Sequence, residues 1–230
     1  MSFSQHSHTH TLSLSEIALY LLWRMEASSS SNNNNNMVVV IYPLSHYYFG
    51  SKEALPDKEE DSFTERIQRM RSNYAAHGLR TCVQGVLLVE LYQQPHVLLL
   101  QVRNSFFKLP GGRLRPGESD IGGLKRKLSR KLLHSGSDSS CDWEIGECIG
   151  MWWRSDFETL PCPYLPRKAK ECTKLFLVRL QMTQKFAVPK NMRLLAVPLC
   201  QLYDNDKTYG TIISGLPQLL SKFSFTIVRE

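Results

Sequence analysis

The chain has 230 residues, with 28 Lys and Arg against 21 Asp and Glu, a net charge of +7 and a pI near 9.1. Hydrophobic residues make up 42%, enough to bury a core, which excludes a wholly disordered chain; the length fits one large domain or two small ones. The longest early apolar run, residues 17–23, is far short of the about 20 residues that cross a bilayer, so no membrane span is expected there.

Residues 1–36 read as a disordered, low-complexity leader. Serines 28–31 run into asparagines 32–36, which bury nothing. The alternating His6, His8 and His10 fit an unstructured polar tract better than a metal site. A signal peptide needs positive charge ahead of its apolar run, and the first charge here is Glu16. Residues 37–230 have globular composition and no internal repeat. The six cysteines (Cys82, Cys141, Cys148, Cys162, Cys172, Cys200) form no C-x-x-C pair and match no zinc-ligand spacing. They read as reduced thiols of a cytosolic or nuclear protein.

A short extended segment is expected at 38–44. Residues 57–76 read as a helix with Phe63, Ile67, Met70 and Tyr74 on one apolar face, acids crowding its first turns and Gly78 closing it. The runs 83–91 and 97–102, split by Tyr92-Gln93-Gln94-Pro95, read as a hairpin. A short strand at Phe106-Phe107-Lys108 leads into the turn Leu109-Pro110-Gly111-Gly112. A second helix spans 119–134, with Ile121, Leu124, Leu128 and Leu132 in register. Strands are expected near 144–151 and 174–181, and closing helices at 197–204 and 216–223. Strands and helices interleave without regular βαβ spacing, which points to a mixed α/β (α+β) sandwich rather than a doubly wound sheet.

Gly112, five residues, Glu118, seven residues and Arg126 have the spacing of the first half of a Nudix box. In that box a glycine turn feeds a helix whose glutamates gather Mg²⁺, and the metal neutralises a diphosphate and activates water. The second half is inverted. Lys127, Arg130 and Lys131 stand where the box has glutamates, and Leu133 where it has glycine. A unit cation about 4 Å from a divalent ion costs on the order of several kcal/mol at an effective dielectric near 20. Glu118 alone makes no hydrolase site. The plain alternative for 125–131 is a solvated basic helix face, which is equally incompatible with a metal.

From residue 41 to about 228 the chain resembles the small subunit of mammalian-type cleavage factor Im, a pre-mRNA 3′-end processing factor. The resemblance is carried by Tyr42-Pro43-Leu44, Tyr48-Phe49-Gly50, Phe106-Phe107-Lys108-Leu109-Pro110-Gly111-Gly112, Gly122-Gly123-Leu124-Lys125-Arg126, Cys148-Ile149-Gly150, Trp152-Trp153-Arg154, Val188-Pro189-Lys190-Asn191 and Leu216-Pro217-Gln218-Leu219-Leu220. It implies a Nudix-type α/β/α sandwich with a mixed sheet and no catalysis. It also implies no cofactor, a nuclear location, homodimers that bind UGUA in single-stranded pre-mRNA, and recruitment of a larger RRM-containing subunit.

The same resemblance implies an RNA-contacting set of Lys58, Arg66, Gln84, Phe106, Leu109, Tyr209 and Gly210. Adjacent Phe106 and Phe107 point to opposite faces of a strand, so one can be core and the other a platform for an unpaired base. By resemblance Phe106 is the stacker. Arg66 lies off the apolar stripe of its helix. Gln84 and Lys58 replace glutamates of the family. An amide oxygen at Gln84 still accepts from a base imino proton, without charge assistance, while Lys58 weakens the case for guanine reading. Tyr209-Gly210 stands where the family meets the terminal adenine. The 166–171 connection is shorter than the family's. Trp152-Trp153-Arg154 reads as core with an anchoring arginine, or else as a partner surface. Two competing functions remain, an active Mg²⁺-dependent Nudix hydrolase of nucleoside polyphosphates and a scaffold dimer without RNA selectivity.

The charge itself is localised. From Arg103 to Lys131 there are nine Lys and Arg and two acids, while the rest of the chain is balanced.

Overall fold

In the computed structural model, which describes residues 37–55, 62–102, 106–134 and 142–228, alternation along three long strands sets the architecture. The elements in order are β1 (Met37–Ile41), a 3-10 turn (Leu44–His46), β2 (Tyr48–Lys52), α1 (Phe63–His77), β3 (Arg80–Leu91), β4 (Gln94–Val102), β5 (Phe106–Lys108), β6 (Gly111–Arg113), α2 (Asp120–Leu132), β7 (Glu144–Arg154), β8 (Glu171–Arg179), β9 (Lys185–Pro189), β10 (Met192–Pro198), four short helices α3 (Leu199–Leu202), α4 (Asp206–Tyr209), α5 (Thr211–Ser214) and α6 (Leu216–Leu220), and β11 (Phe223–Ile227). These elements fall in one unit that begins at Met37. The leader 1–36 lies outside the described residues.

The main sheet runs β10-β4-β3-β8-β7, with β5 added on β4 and β6 on β3. The β3–β8 pairing is parallel and its neighbours are antiparallel, so the sheet is mixed. Successive strand residues face opposite ways, and two cores result. Val86, Leu88, Val97, Leu99, Leu175 and Leu177 pack on one side with β1 and the C-terminal helices. Val83, Leu87, Leu98, Leu100, Phe176 and Val178 pack on the other with Leu124, Leu128 and Leu132 of α2. Those three leucines are fully buried, worth about 1.5–3 kcal/mol each. This is the layered α/β sandwich expected from the sequence.

Several elements differ from expectation. The helix expected over 57–76 is described from Phe63, where Ser62 caps it: the Ser62 hydroxyl accepts from Glu65 N–H and the Glu65 carboxylate accepts from Ser62 N–H. Its acid-rich lead-in at 57–61 lies outside the described residues. Phe63, expected on the buried stripe, is 60% exposed, and only Ile67 of α1 is buried. The expected helix 197–204 is a single turn, Leu199–Leu202, behind strand β10, and the helix expected over 216–223 stops at Leu220 before Phe223 opens β11. The hairpin forms as expected, from longer strands. Its two-residue turn, Tyr92-Gln93, has both φ values positive (53° and 60°), the mirror-image turn that matches strand twist. Five cysteines lie among the described residues, and all five are free thiols. No described helix is long and apolar enough to cross a membrane.

Candidate nucleic-acid interface

Gly111 fixes the turn that anchors the site. A Cβ there would sit 2.2 Å from the Val83 carbonyl oxygen and 2.6 Å from Gln84 Cα, and φ is +151°; only glycine lets β6 approach β3 this closely. The close approach places Gln84, half-buried on β3, directly opposite Gly111.

On β5, Phe106 is 62% exposed, while its neighbour Phe107 packs against the core and meets the Tyr209 ring at 4.8 Å between centroids. The alternation read from the sequence is present, with Phe106 outward. Tyr209 itself is buried; its hydroxyl accepts from Gln201 Nε2 at 2.8 Å, and burial pushes its pKa up. It therefore offers no open ring face. Gly210, at φ +79°, separates α4 from α5 and is exposed. The Tyr209 side chain thus supports Phe107 from behind, and Gly210 is the exposed member of that pair. Gln201 is a neighbour of Tyr209 that sequence reasoning passed over, and the alternation that identified Phe107 as core gave no sign of its ring partner.

Leu109 is 2% exposed and its side chain lies in the core. Arg66 is exposed and lies over its own helix's Phe63 ring at 5.4 Å. It makes no hydrogen bond or ring contact with Gln84, Phe106 or Tyr209. Its helix is fastened instead by Ile67, by the Tyr74–Phe157 ring contact at 6.2 Å and by the Arg71–Glu158 ion pair at 2.6 Å. Lys58 lies outside the described residues.

The box positions are now explicit. Glu118 lies in a bidentate pair, accepting from Arg126 Nε and Nη2 at 2.6 Å each and from Arg115 N–H at 2.8 Å. These bonds pull its pKa down to about 2. Both carboxylate oxygens are thus committed to protein donors. Lys127 is in van der Waals range of the Gly112 turn, its stem 3.5 Å from where a Cβ would be. Lys131 is half-buried, and burial together with Lys108, Lys127 and Arg130 lowers its pKa to about 8. The expectation of a solvated basic face is corrected for two of its residues, because Lys127 lies against the Gly112 turn and Lys131 is half-buried. These residues do not fit a Mg²⁺ site. Among the described residues no group of three or more His, Cys, Asp or Glu could hold a metal.

Trp152 and Trp153 are half-buried on β7 rather than enclosed, and Arg154 meets Glu171 at 3.3 Å. Trp152 lines an open cleft of about 330 Å³ with Cys162, Tyr203 and Gln218.

A profile of the NUDIX_2 family, described as nucleotide hydrolase, matches residues 37–223. The chain is 66% identical over 192 residues to Pre-mRNA cleavage factor Im 25 kDa subunit 1 of Arabidopsis thaliana, covering 82% of this chain and 86% of the relative. The chain belongs to the cleavage factor Im 25 kDa subunit family, on a Nudix fold. Two further relatives match over similar stretches. Pre-mRNA cleavage factor Im 25 kDa subunit 2 of the same plant is 51% identical (82% of this chain, 96% of the relative), and Cleavage and polyadenylation specificity factor subunit 5 of Dictyostelium discoideum is 43% identical with the same coverage. Two of the solved structures it matches share little sequence with it. A C. elegans Ap4A hydrolase matches at TM-score 0.39 and 17% identity over 63% of this chain and 95% of that one. The E. coli dihydroneopterin triphosphate pyrophosphohydrolase matches at 0.44 and 14% over 62% and 93%. Family membership rests on the sequence relatives.

Proposed function

We propose that the protein is a non-catalytic, nuclear RNA-binding subunit of the pre-mRNA 3′-end cleavage and polyadenylation machinery. It reads UGUA-type single-stranded elements as a homodimer and recruits a larger RRM-containing subunit. The observation that carries the reading is the pairing of two features on one turn. Phe106 presents an open aromatic face at one end of β5, and the box that begins at Gly112 has cations at three glutamate positions and its remaining Glu118 locked to Arg126. A base stacked on Phe106 would gain roughly 1–3 kcal/mol. Gln84 and the backbone around Leu109 and Gly210 supply edge contacts, and the Trp152 cleft is a surface for the partner copy or the larger subunit.

Fluorescence polarisation with a short UGUA RNA and a scrambled control tests this. The expected result is tighter binding of UGUA, lost in Phe106→Ala. Equal affinity for the two RNAs would leave only the scaffold reading. Incubation with Mg²⁺ or Mn²⁺ and nucleoside polyphosphates is expected to give no turnover; turnover abolished by Glu118→Gln would establish a hydrolase instead.

A further inference from the structure

On α2 Lys127 lies against the Gly112 turn, and Lys131, one turn further along, is close enough to Lys108 of β5, Lys127 and Arg130 to feel their charge. Like charges at such spacing repel, and Lys127 and Lys131, four apart, sit on one helix face. Folding nonetheless half-buries Lys131 among the other three. Among the described residues no carboxylate pairs with Lys108, Arg130 or Lys131. The nearest acid of the box, Glu118, is held by Arg126 on both oxygens, and Asp120 is taken by Lys174 at 2.6 Å. Lys108, Arg130 and Lys131, neighbouring cations whose local acids are occupied elsewhere, can receive an external anion.

The register of β5 says which one. Phe106 and Lys108 are two residues apart on a strand, so their side chains share a face, roughly 7 Å apart. Both are exposed, while Phe107 between them points inward. That distance matches the step from a stacked base to a phosphate of its own strand. We propose that Lys108, Lys127 and Lys131, with Arg130 at the rim, form a metal-free phosphate seat adjoining the Phe106 platform. Cations here take over the charge neutralisation that a hydrolase assigns to bound metal. The proposal adds a phosphate contact to the RNA-reading site proposed above, but its test does not depend on sequence preference.

Two measurements on the full chain, both in EDTA, test it. The first is the salt dependence of RNA binding. For single strands the slope of log K against log salt is about −0.7 for each phosphate neutralised. Lys131→Met and Lys127→Met are each expected to make the slope shallower by about that amount, for UGUA and scrambled RNA alike, leaving the ratio of the two affinities unchanged. Phe106→Ala should do the opposite, lowering the ratio and sparing the slope. The second reads the wild-type protein, so a misfolded variant cannot obscure it. Acetic anhydride labelling of Lys131 is followed by peptide mass spectrometry with and without inorganic pyrophosphate or RNA. Protection by RNA together with the slope change assigns the seat to a phosphodiester of the strand. Protection by pyrophosphate alone assigns it to free phosphates, and either result supports the seat. Unchanged slopes with no protection by either ligand would overturn it. If UGUA and scrambled RNA bind equally while slope and protection respond, the base-reading proposal fails and the phosphate seat stands.

Discussion

Replacing Lys131 by methionine should stabilise the protein at neutral pH. Burial, with Lys108, Lys127 and Arg130 nearby, lowers the Lys131 pKa from 10.5 to about 8. At about 1.36 kcal/mol per pH unit, that gap means the charged form costs the fold roughly 3 kcal/mol at pH 7. The side chain is half-buried rather than enclosed, so this is an upper bound. The sign follows from proton counting. Between about pH 8 and 10.5 the unfolded lysine keeps its proton and the folded one has shed it, so stability climbs with pH in that window. Buried thiols oppose this trend, because burial raises Cys82, Cys148 and Cys172 and their stabilisation falls as the unfolded thiols ionise. The difference between wild type and Lys131→Met isolates the lysine. Urea unfolding should show the variant more stable by up to about 3 kcal/mol at pH 7, with the gap narrowing by about 2 kcal/mol at pH 9.5. A gap of the same size at both pH values would refute the account of a strained, desolvated ammonium.

Five further outcomes are expected. Phe106→Ala should weaken RNA binding by about 1–3 kcal/mol by polarisation and leave the melting temperature nearly unchanged, whereas Phe107→Ala should destabilise by about 2–4 kcal/mol in urea through loss of its contact with Tyr209. Gly111→Ala should cost at least about 2 kcal/mol, read in a thermal melt, because its methyl would overlap the Val83 carbonyl. Ser62→Ala should remove the capping box of α1 at a cost of about 1 kcal/mol, seen as faster amide exchange in the first turn of α1. Glu118, held near a pKa of 2 by Arg126 and Arg115, should favour the fold above about pH 4.5 and lose that contribution as pH falls toward 2; titration of Glu118→Gln alongside wild type should show the acid limb reduced in the variant.

The parts of the fold legible in the sequence are those whose signal is local. The β3–β4 hairpin announces itself through two apolar runs around a turn, and α2 through leucines at helical spacing beneath a glycine turn. Where tertiary context decides, reading fails. The periodicity of α1 identifies an apolar stripe but not whether anything covers it, and Phe63 is left exposed. β11 pairs in parallel with β1, joining Met37 to Phe223, and no local pattern announces a partner so far along the chain. At the site, alternation fixes Phe106 outward and Phe107 inward. Burial of Leu109 and Tyr209 is invisible to motif matching, because a conserved pattern names residues and not the atoms that face a ligand. Lys131 shows the converse: its charge is legible, its desolvation is not.

The pairing of β1 with β11 also constrains how the domain is made. Val39 and Ile41 enter the core only when β1 is in place beside Phe223. During synthesis the ribosome releases β1 long before its partner exists, so the apolar Met37–Ile41 segment must wait, unpaired, while nearly the whole domain is translated. Closure of this long loop is a late step, and it exposes a β-branched strand edge to other chains in the interval. Nascent chains stalled before residue 223 should therefore lean on chaperones, and completed chains should not.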